Sequence, residues 1–161
     1  THAVIGGAVA SIAGTSSGVS FILGFFSHFI LDAFPHWDYF CLLSSPKAKK
    51  GNLNDFEMPL SINFFKDLTI IFLDCFFGFM LLVFFLPEFS FNVFLPIFFG
   101  AVGAVLPDFL QFVYFKFKNQ PITFIKKIHD YFHSNERIDN LFFGILIQVI
   151  LIIGALLIIN I

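Results

Sequence analysis

Charge is scarce in this chain: 12% of its 161 residues are Asp, Glu, Lys or Arg, whereas 58% are hydrophobic. So little polar surface cannot cover a water-soluble globule of this size. The formal net charge is −2, so the chain also lacks the overall positive field that nucleic-acid binding uses. Composition therefore excludes an ordinary soluble domain and a nucleic-acid partner, and it favours helices in a lipid bilayer.

Cysteine is scarce too, with Cys41 and Cys75 as the two examples. Two thiols in different kinds of segment predict neither a disulfide framework nor a thiolate metal site. The first apolar stretch has no basic segment before it, so we do not expect a secretory signal there. Any metal chemistry in this chain must therefore depend on histidine and carboxylate side chains.

Long apolar segments dominate what is present. Residues 3–13 are rich in small side chains and, at about 16 Å, are too short to cross a hydrocarbon core of about 30 Å. With a turn at residues 14–18 and a spanning helix over 19–34, they predict an N-terminal helical hairpin whose open ends meet. Three further spanning helices are predicted over residues 60–86, 91–117 and 141–161, and a short amphipathic helix over 122–133. The expected fold is an all-α polytopic membrane helical bundle, with residues 1–161 as a single integral-membrane domain.

Positive charge predicts the orientation of this bundle. The basic residues lie in two loops separated by two predicted spans, so both loops fall on the same side of the membrane, which the positive-inside rule makes cytoplasmic. We therefore expect a multi-pass protein of the inner (cytoplasmic) membrane with a cytoplasmic N-terminus. The same charges would attract anionic membrane lipids. The basic residues are Lys47, Lys49, Lys50, Lys116, Lys118, Lys126, Lys127 and Arg137.

One segment carries ionisable groups that membrane burial alone does not explain. On a helix, His28 and Asp32 lie four residues apart on one face. Pro35 ends that helix, which places His36 and Asp38 on the exit turn. Imidazole and carboxylate groups grouped in this way are typical of a divalent metal site.

Other ionisable residues are predicted to reach the same end of the bundle. His129 and His133 repeat the i,i+4 spacing, Asp108 directly follows Pro107, and His2 precedes the first helix. Charged groups in a bilayer cost about 2.5 kcal/mol or more each, so they persist where they pair, coordinate or line a wet cavity. We expect one divalent ion, with zinc as the expected metal, or two if Asp32, Asp38 and His2 take part. The predicted ligands are His2, His28, Asp32, His36, Asp108, His129 and His133.

Each group also has a structural interpretation. His28 and Asp32 can form a neutral hydrogen-bonded pair that locks two helices. His36 and Asp38, beside Trp37, can belong to an interfacial belt. The two histidines of the amphipathic helix can simply lie on the membrane surface. These alternatives stay open at the level of sequence.

Four short blocks of the sequence are similar to those of the bacterial membrane-bound metal-dependent hydrolases. The blocks are Thr1-His2, Ser27-His28-x3-Asp32, Leu106-Pro107-Asp108 and His129 to His133-Ser134. That family consists of small inner-membrane proteins with a more distant likeness to the zinc-dependent phospholipase C group. The resemblance implies a helical fold, a divalent metal held by the His and Asp of these blocks, and hydrolysis of a phosphoester. The order of the blocks differs here, because Ser27-His28-x3-Asp32 comes early in the chain.

Two functions are compatible with this pattern. The first is an intramembrane metallohydrolase that uses metal-activated water on a phosphorylated lipid or lipid-linked substrate at the cytoplasmic headgroups, with Asp32 or Asp38 as general base. The second is a metal-ion or proton transport protein that uses the same His and Asp cluster as a relay. The far ends of the spans offer few polar groups, which favours the hydrolase.

Overall fold

The structure, a computed structural model, describes residues 1–13, 16–36, 62–117, 119–134, 138 and 140–160. In these residues the all-helical class is confirmed, since the chain forms helices and no strands. Residues 14–15, which join the first two helices, lie outside the described ranges, so the hairpin stays a prediction. The helices are α1 (His2–Ala13), α2 (Ser17–Asp32), α3 (Ile62–Phe84), α4 (Phe91–Phe117), α5 (Ile122–Phe132) and α6 (Leu141–Ile159).

Three helices are long and apolar enough to cross a bilayer, namely Ile62–Phe84, Phe91–Tyr114 and Leu141–Ile159. Their outward side chains are large and apolar, as Phe77 and Phe142 show with exposed fractions of 60% and 68%. Contact between such a surface and lipid costs little free energy, whereas its contact with water is unfavourable. These helices indicate a membrane protein.

The span predicted over residues 19–34 corresponds to α2, which is shorter than a full span. With 16 residues it extends about 24 Å, against a hydrocarbon core of about 30 Å. It begins at Ser17, two residues earlier than predicted, because the extended backbone of Ser16 forms its N-cap. It ends at Asp32, since Pro35 disfavours helical geometry in the residue before it.

Helix α4 is the central element, since α1, α2, α3 and α5 all pack against it. Its contacts with α2 depend on glycine: a Cβ atom at Gly24 would collide with the carbonyl oxygen of Gly100, and one at Gly103 with that of Phe21. Ala104 is completely buried in the same region. Small residues let helix backbones approach closely in lipid. This close approach brings the end of α2 beside the middle of α4.

Two backbone hydrogen bonds join the segment after α5 to the end of α2. The amide of Ser134 donates to the carbonyl of Asp32 at 2.7 Å, and the amide of Ile138 donates to the carbonyl of His36 at 3.3 Å. Helix α5 also packs against α2 and α4. The histidines of α5 are thereby held over the end of α2.

Candidate metal centre

His28 and Asp32 form the α2 part of the site. Their side chains are 0% and 3% exposed, and Nε2 of His28 lies 3.0 Å from Oδ2 of Asp32. On its other side, the His28 ring is 2.8 Å from the carbonyl oxygen of Ala104, through Nδ1. A carbonyl only accepts, so Nδ1 carries the proton and a neutral ring presents the Nε2 lone pair to the site. Ala104 thereby orients His28 as a metal-ligating histidine is usually oriented.

His129 of α5 and Asp108 of α4 complete a group of four. Nε2 of His129 is 3.2 Å from Oδ2 of Asp32 and 3.5 Å from Oδ1 of Asp108. Nε2 of His28 is 3.6 Å from the same oxygen of Asp108. Nitrogen and oxygen therefore alternate around a small central space to which three helices contribute.

The spacing of these atoms fits a single metal ion. The four neighbouring nitrogen–oxygen distances run from 3.0 to 3.6 Å, and all four ligand atoms lie within 4.8 Å of one another. Neighbouring ligand atoms around an ion with bonds of about 2.0 Å lie roughly 3 Å apart, which is close to these four nitrogen–oxygen distances. The cluster of His28, Asp32, Asp108 and His129 can therefore hold a metal ion.

Unsatisfied nitrogen atoms support the same interpretation. Within the described part of the chain, Nε2 of His28 and of His129 are buried, and when both rings are neutral these nitrogens make no hydrogen bond, because the groups close by are carboxylate oxygens that only accept. Buried polar atoms are seldom left without a partner, because desolvation costs free energy that only a new interaction restores. A cation between the two nitrogens and the two carboxylates would supply that interaction.

The other three predicted ligands lie beside this cluster. Nε2 of His2 is 3.4 Å from Oδ1 of Asp32, and Nε2 of His36 is 3.9 Å from that atom. The ring of His133 is 5.0 Å from the ring of His36 and 5.4 Å from that of His129, centroid to centroid. The structure thus gathers all seven predicted metal ligands, while their individual roles as ligands stay predictions. Asp38, the second predicted catalytic residue, and Trp37 lie outside the described residues.

The structural alternatives explain only part of this arrangement. His129 is 2% exposed, so it does not lie on the membrane surface, whereas Tyr131 on the same helix is 83% exposed. His28 does connect two helices through Ala104, but that bond uses Nδ1 and leaves Nε2 facing the cluster. A structural pair of His28 and Asp32 alone would not bring Asp108 and His129 to the same point.

Some residues that build the site were not singled out from the sequence. Ala104 acts through its backbone carbonyl, which side-chain chemistry cannot reveal. Gly24, Gly100 and Gly103 set the distance between α2 and α4, and therefore between Asp32 and Asp108. The run of small residues from Gly100 to Ala104 is the signal that could have pointed to this close approach.

The charge state of His129 follows from its two carboxylate neighbours. Burial lowers its pKa, but Asp108 and Asp32 outweigh burial and raise the pKa from 6.5 to about 9. In the metal-free protein at pH 7, His129 is therefore an imidazolium. A proton then occupies the position that a metal would need.

Metal binding is expected to displace this proton, because only a neutral imidazole can act as a ligand. At pH 7 we expect release of about one proton from His129 for each ion bound there, and affinity should rise about tenfold per pH unit up to about pH 9. Calorimetric titration of metal-free protein with Zn²⁺ in two buffers of different ionisation enthalpy counts the protons. Equal heats in the two buffers would show that His129 is already neutral.

The chain matches no protein-family model, no curated protein and no solved structure.

Proposed function

We propose that this chain is a membrane-embedded metal-dependent hydrolase that cleaves a phosphoester of a lipid or lipid-linked substrate. One observation carries the proposal: two imidazole nitrogens and two carboxylate oxygens from three helices lie within 4.8 Å of one another, and both nitrogens are buried. A His₂Asp₂ set suits zinc, although other divalent ions accept the same ligands. The resemblance of the four sequence blocks supports the same class of chemistry.

The position of the site supports a lipid substrate. Asp108 lies nine residues before the end of α4, which corresponds to about 14 Å along the helix. The Asp108 side chain is 44% exposed, so the cluster is accessible from outside the bundle. The apolar span of α4 ends at Tyr114, six residues or about 9 Å after Asp108, so the cluster lies close enough to the end of the span for a lipid headgroup to reach it. The distribution of lysines favours the cytoplasmic leaflet as the side from which the substrate enters.

The catalytic roles follow from the same geometry. A divalent ion supplies Lewis acidity, which makes water a nucleophile near neutral pH and offsets charge on phosphate oxygens. His28, Asp32, Asp108 and His129 would hold the ion, with His28 oriented by Ala104. With Asp32 serving as a ligand, Asp38 would accept the proton of the attacking water. Lys127, exposed on α5, would attract the anionic headgroup.

Activity of the purified protein on phospholipid in mixed micelles tests this proposal. We expect release of phosphate or of a phosphorylated headgroup that requires added Zn²⁺ and falls at least about 100-fold in His129→Gln, since even outer-shell changes cost metal sites 10- to 100-fold. Asp74→Asn, which alters a carboxylate on α3 outside the cluster, should keep full activity. If the zinc-loaded protein hydrolyses no lipid phosphoester but transports Zn²⁺ into liposomes, the result would contradict the hydrolase proposal and favour the transport function.

A further inference from the structure

The two oxygens of Asp32 face two different sets of imidazoles. Oδ2 lies 3.0 Å from Nε2 of His28 and 3.2 Å from Nε2 of His129, inside the cluster already described. Oδ1 lies 3.4 Å from Nε2 of His2 and 3.9 Å from Nε2 of His36. A carboxylate placed in this way has one oxygen available to each of two ions.

Two imidazoles near Oδ1 of Asp32, those of His36 and His133, are each oriented by a backbone carbonyl, as His28 is. The Nδ1–H group of His36 donates to the carbonyl of Phe34 at 2.9 Å, which leaves its Nε2 lone pair on the side of Asp32. His133 is bound in the same way to the carbonyl of Ser134, also at 2.9 Å, and its ring lies against that of His36. His2 packs its ring 4.4 Å from the ring of His28, centroid to centroid. Backbone carbonyls thus orient His36 and His133, whereas His2 is placed by its contact with the ring of His28.

Accessibility separates the imidazoles of the two halves, whereas Asp108 of the first half is 44% exposed. The side chains of His28 and His129 are 0% and 2% exposed, whereas those of His2 and His36 are 23% and 24% exposed. A structural metal site is closed, and a catalytic one keeps a position open for water or substrate. The half formed by His2 and His36 has the character of an open site.

Charge indicates what would bind at the open position. In the described residues the cluster contains two carboxylates, Asp32 and Asp108, which together balance one divalent ion. A second divalent ion would leave an excess of two positive charges in a mostly apolar environment. A phosphoryl group with two negative charges neutralises that excess and supplies oxygen ligands to both ions.

We propose that Asp32 bridges two divalent ions, the second bound through Nε2 of His2 and His36 with His133 beside it, and that the pair binds the phosphoryl group of the substrate. Two-metal sites hold their ions about 3.5–4 Å apart, a separation that a single carboxylate can bridge. The identity of the substrate rests on the proposed hydrolase function, whereas the second ion rests on the geometry of Asp32 and the two imidazoles.

Titration of metal-free protein with Co²⁺ tests the second ion without any assay of catalysis. We expect two Co²⁺ per chain by elemental analysis after gel filtration, and one in His36→Ala. Asp74→Asn should bind two and serves as the matched control. The metal-free His36→Ala protein should keep the helical content of the wild type, because His36 lies beyond the end of α2. His2→Ala provides a second, independent variant that should also bind one ion.

Inorganic phosphate serves as the probe for the substrate site. We expect phosphate to bind the two-ion protein at least tenfold more tightly than it binds one-ion His36→Ala, since one of its two metal partners is missing. Two ions retained in the double variant His2→Ala/His36→Ala would overturn the proposal, as would equal phosphate affinity. A wild-type protein that binds a single ion, lost in His28→Ala, would overturn the proposal of a second ion but not the proposed hydrolase function. A wild-type protein that binds no ion would overturn both proposals.

Discussion

Asp32→Asn is expected to abolish metal binding and, with it, any hydrolysis. The change keeps the size of the side chain but removes the negative charge that faces His28 and His129 at 3.0 and 3.2 Å. An amide is a poor ligand for zinc beside neutral imidazoles, and its NH₂ group would point hydrogen atoms at the cation. Because outer-shell changes cost metal affinity 10- to 100-fold, loss of a ligand should cost at least about 100-fold.

Metal content by elemental analysis, with Zn²⁺ affinity by competition with a chelating dye, checks this expectation. Asp74→Asn makes the same chemical change on α3, where the side chain is half exposed, and should retain wild-type affinity. Asp32→Asn protein that keeps stoichiometric zinc would contradict the assignment of the site. Helical content measured by circular dichroism should equal that of the wild type in both variants. This control separates loss of a ligand from loss of the fold.

Gly24→Ala is expected to destabilise the bundle and to empty the site, although no ligand is changed. A Cβ atom at residue 24 would collide with the backbone carbonyl of Gly100, which cannot move aside as a flexible side chain can. Forcing α2 away from α4 should cost about 1–3 kcal/mol, the usual range for overpacking. Because His28 and Asp32 lie on α2 and Asp108 on α4, the same displacement pulls the ligand atoms apart.

Gly154→Ala is the matched control for this experiment. A Cβ atom at Gly154 meets nothing within 4 Å, so the change should be neutral or stabilising through the better helix propensity of alanine. The melting temperature in detergent and the zinc content should both fall in Gly24→Ala. Both should stay at wild-type values in Gly154→Ala. Equal melting temperatures for the two variants would show that α2 and α4 do not pack as closely as described.

The sequence predicted the helices well because long apolar segments and prolines mark them clearly. It also identified residues that the structure gathers, since Pro35 and Pro107 place Asp32 and Asp108 at particular points of their helices. It could not show that the two oxygens of Asp32 face different imidazoles, because that depends on the rotation of α2 against α4 and α5. Those rotations are set by contacts such as Gly24 with Gly100, which join residues distant in the chain.

Other features were beyond sequence patterns for a different physical reason. The role of Ala104 depends on its backbone carbonyl, which every residue has, so the amino-acid sequence cannot identify this residue as part of the site. The shift of α2 by two residues from its predicted position follows from where its backbone enters and leaves the helix, not from hydropathy, which continues to Phe34. The basic loop at residues 41–58, on which the predicted orientation partly depends, lies outside the described ranges.

The hydrogen bonds that join Ser134 and Ile138 to the end of α2 have a consequence for biogenesis. About a hundred residues separate Asp32 from His129, and ribosomes need on the order of 5–20 s to make that length of chain. During this interval the newly made Asp32 has neither α5 nor the segment that follows it as a partner. Metal loading of the proposed site would therefore be a late step that follows the docking of α5 against α2 and α4.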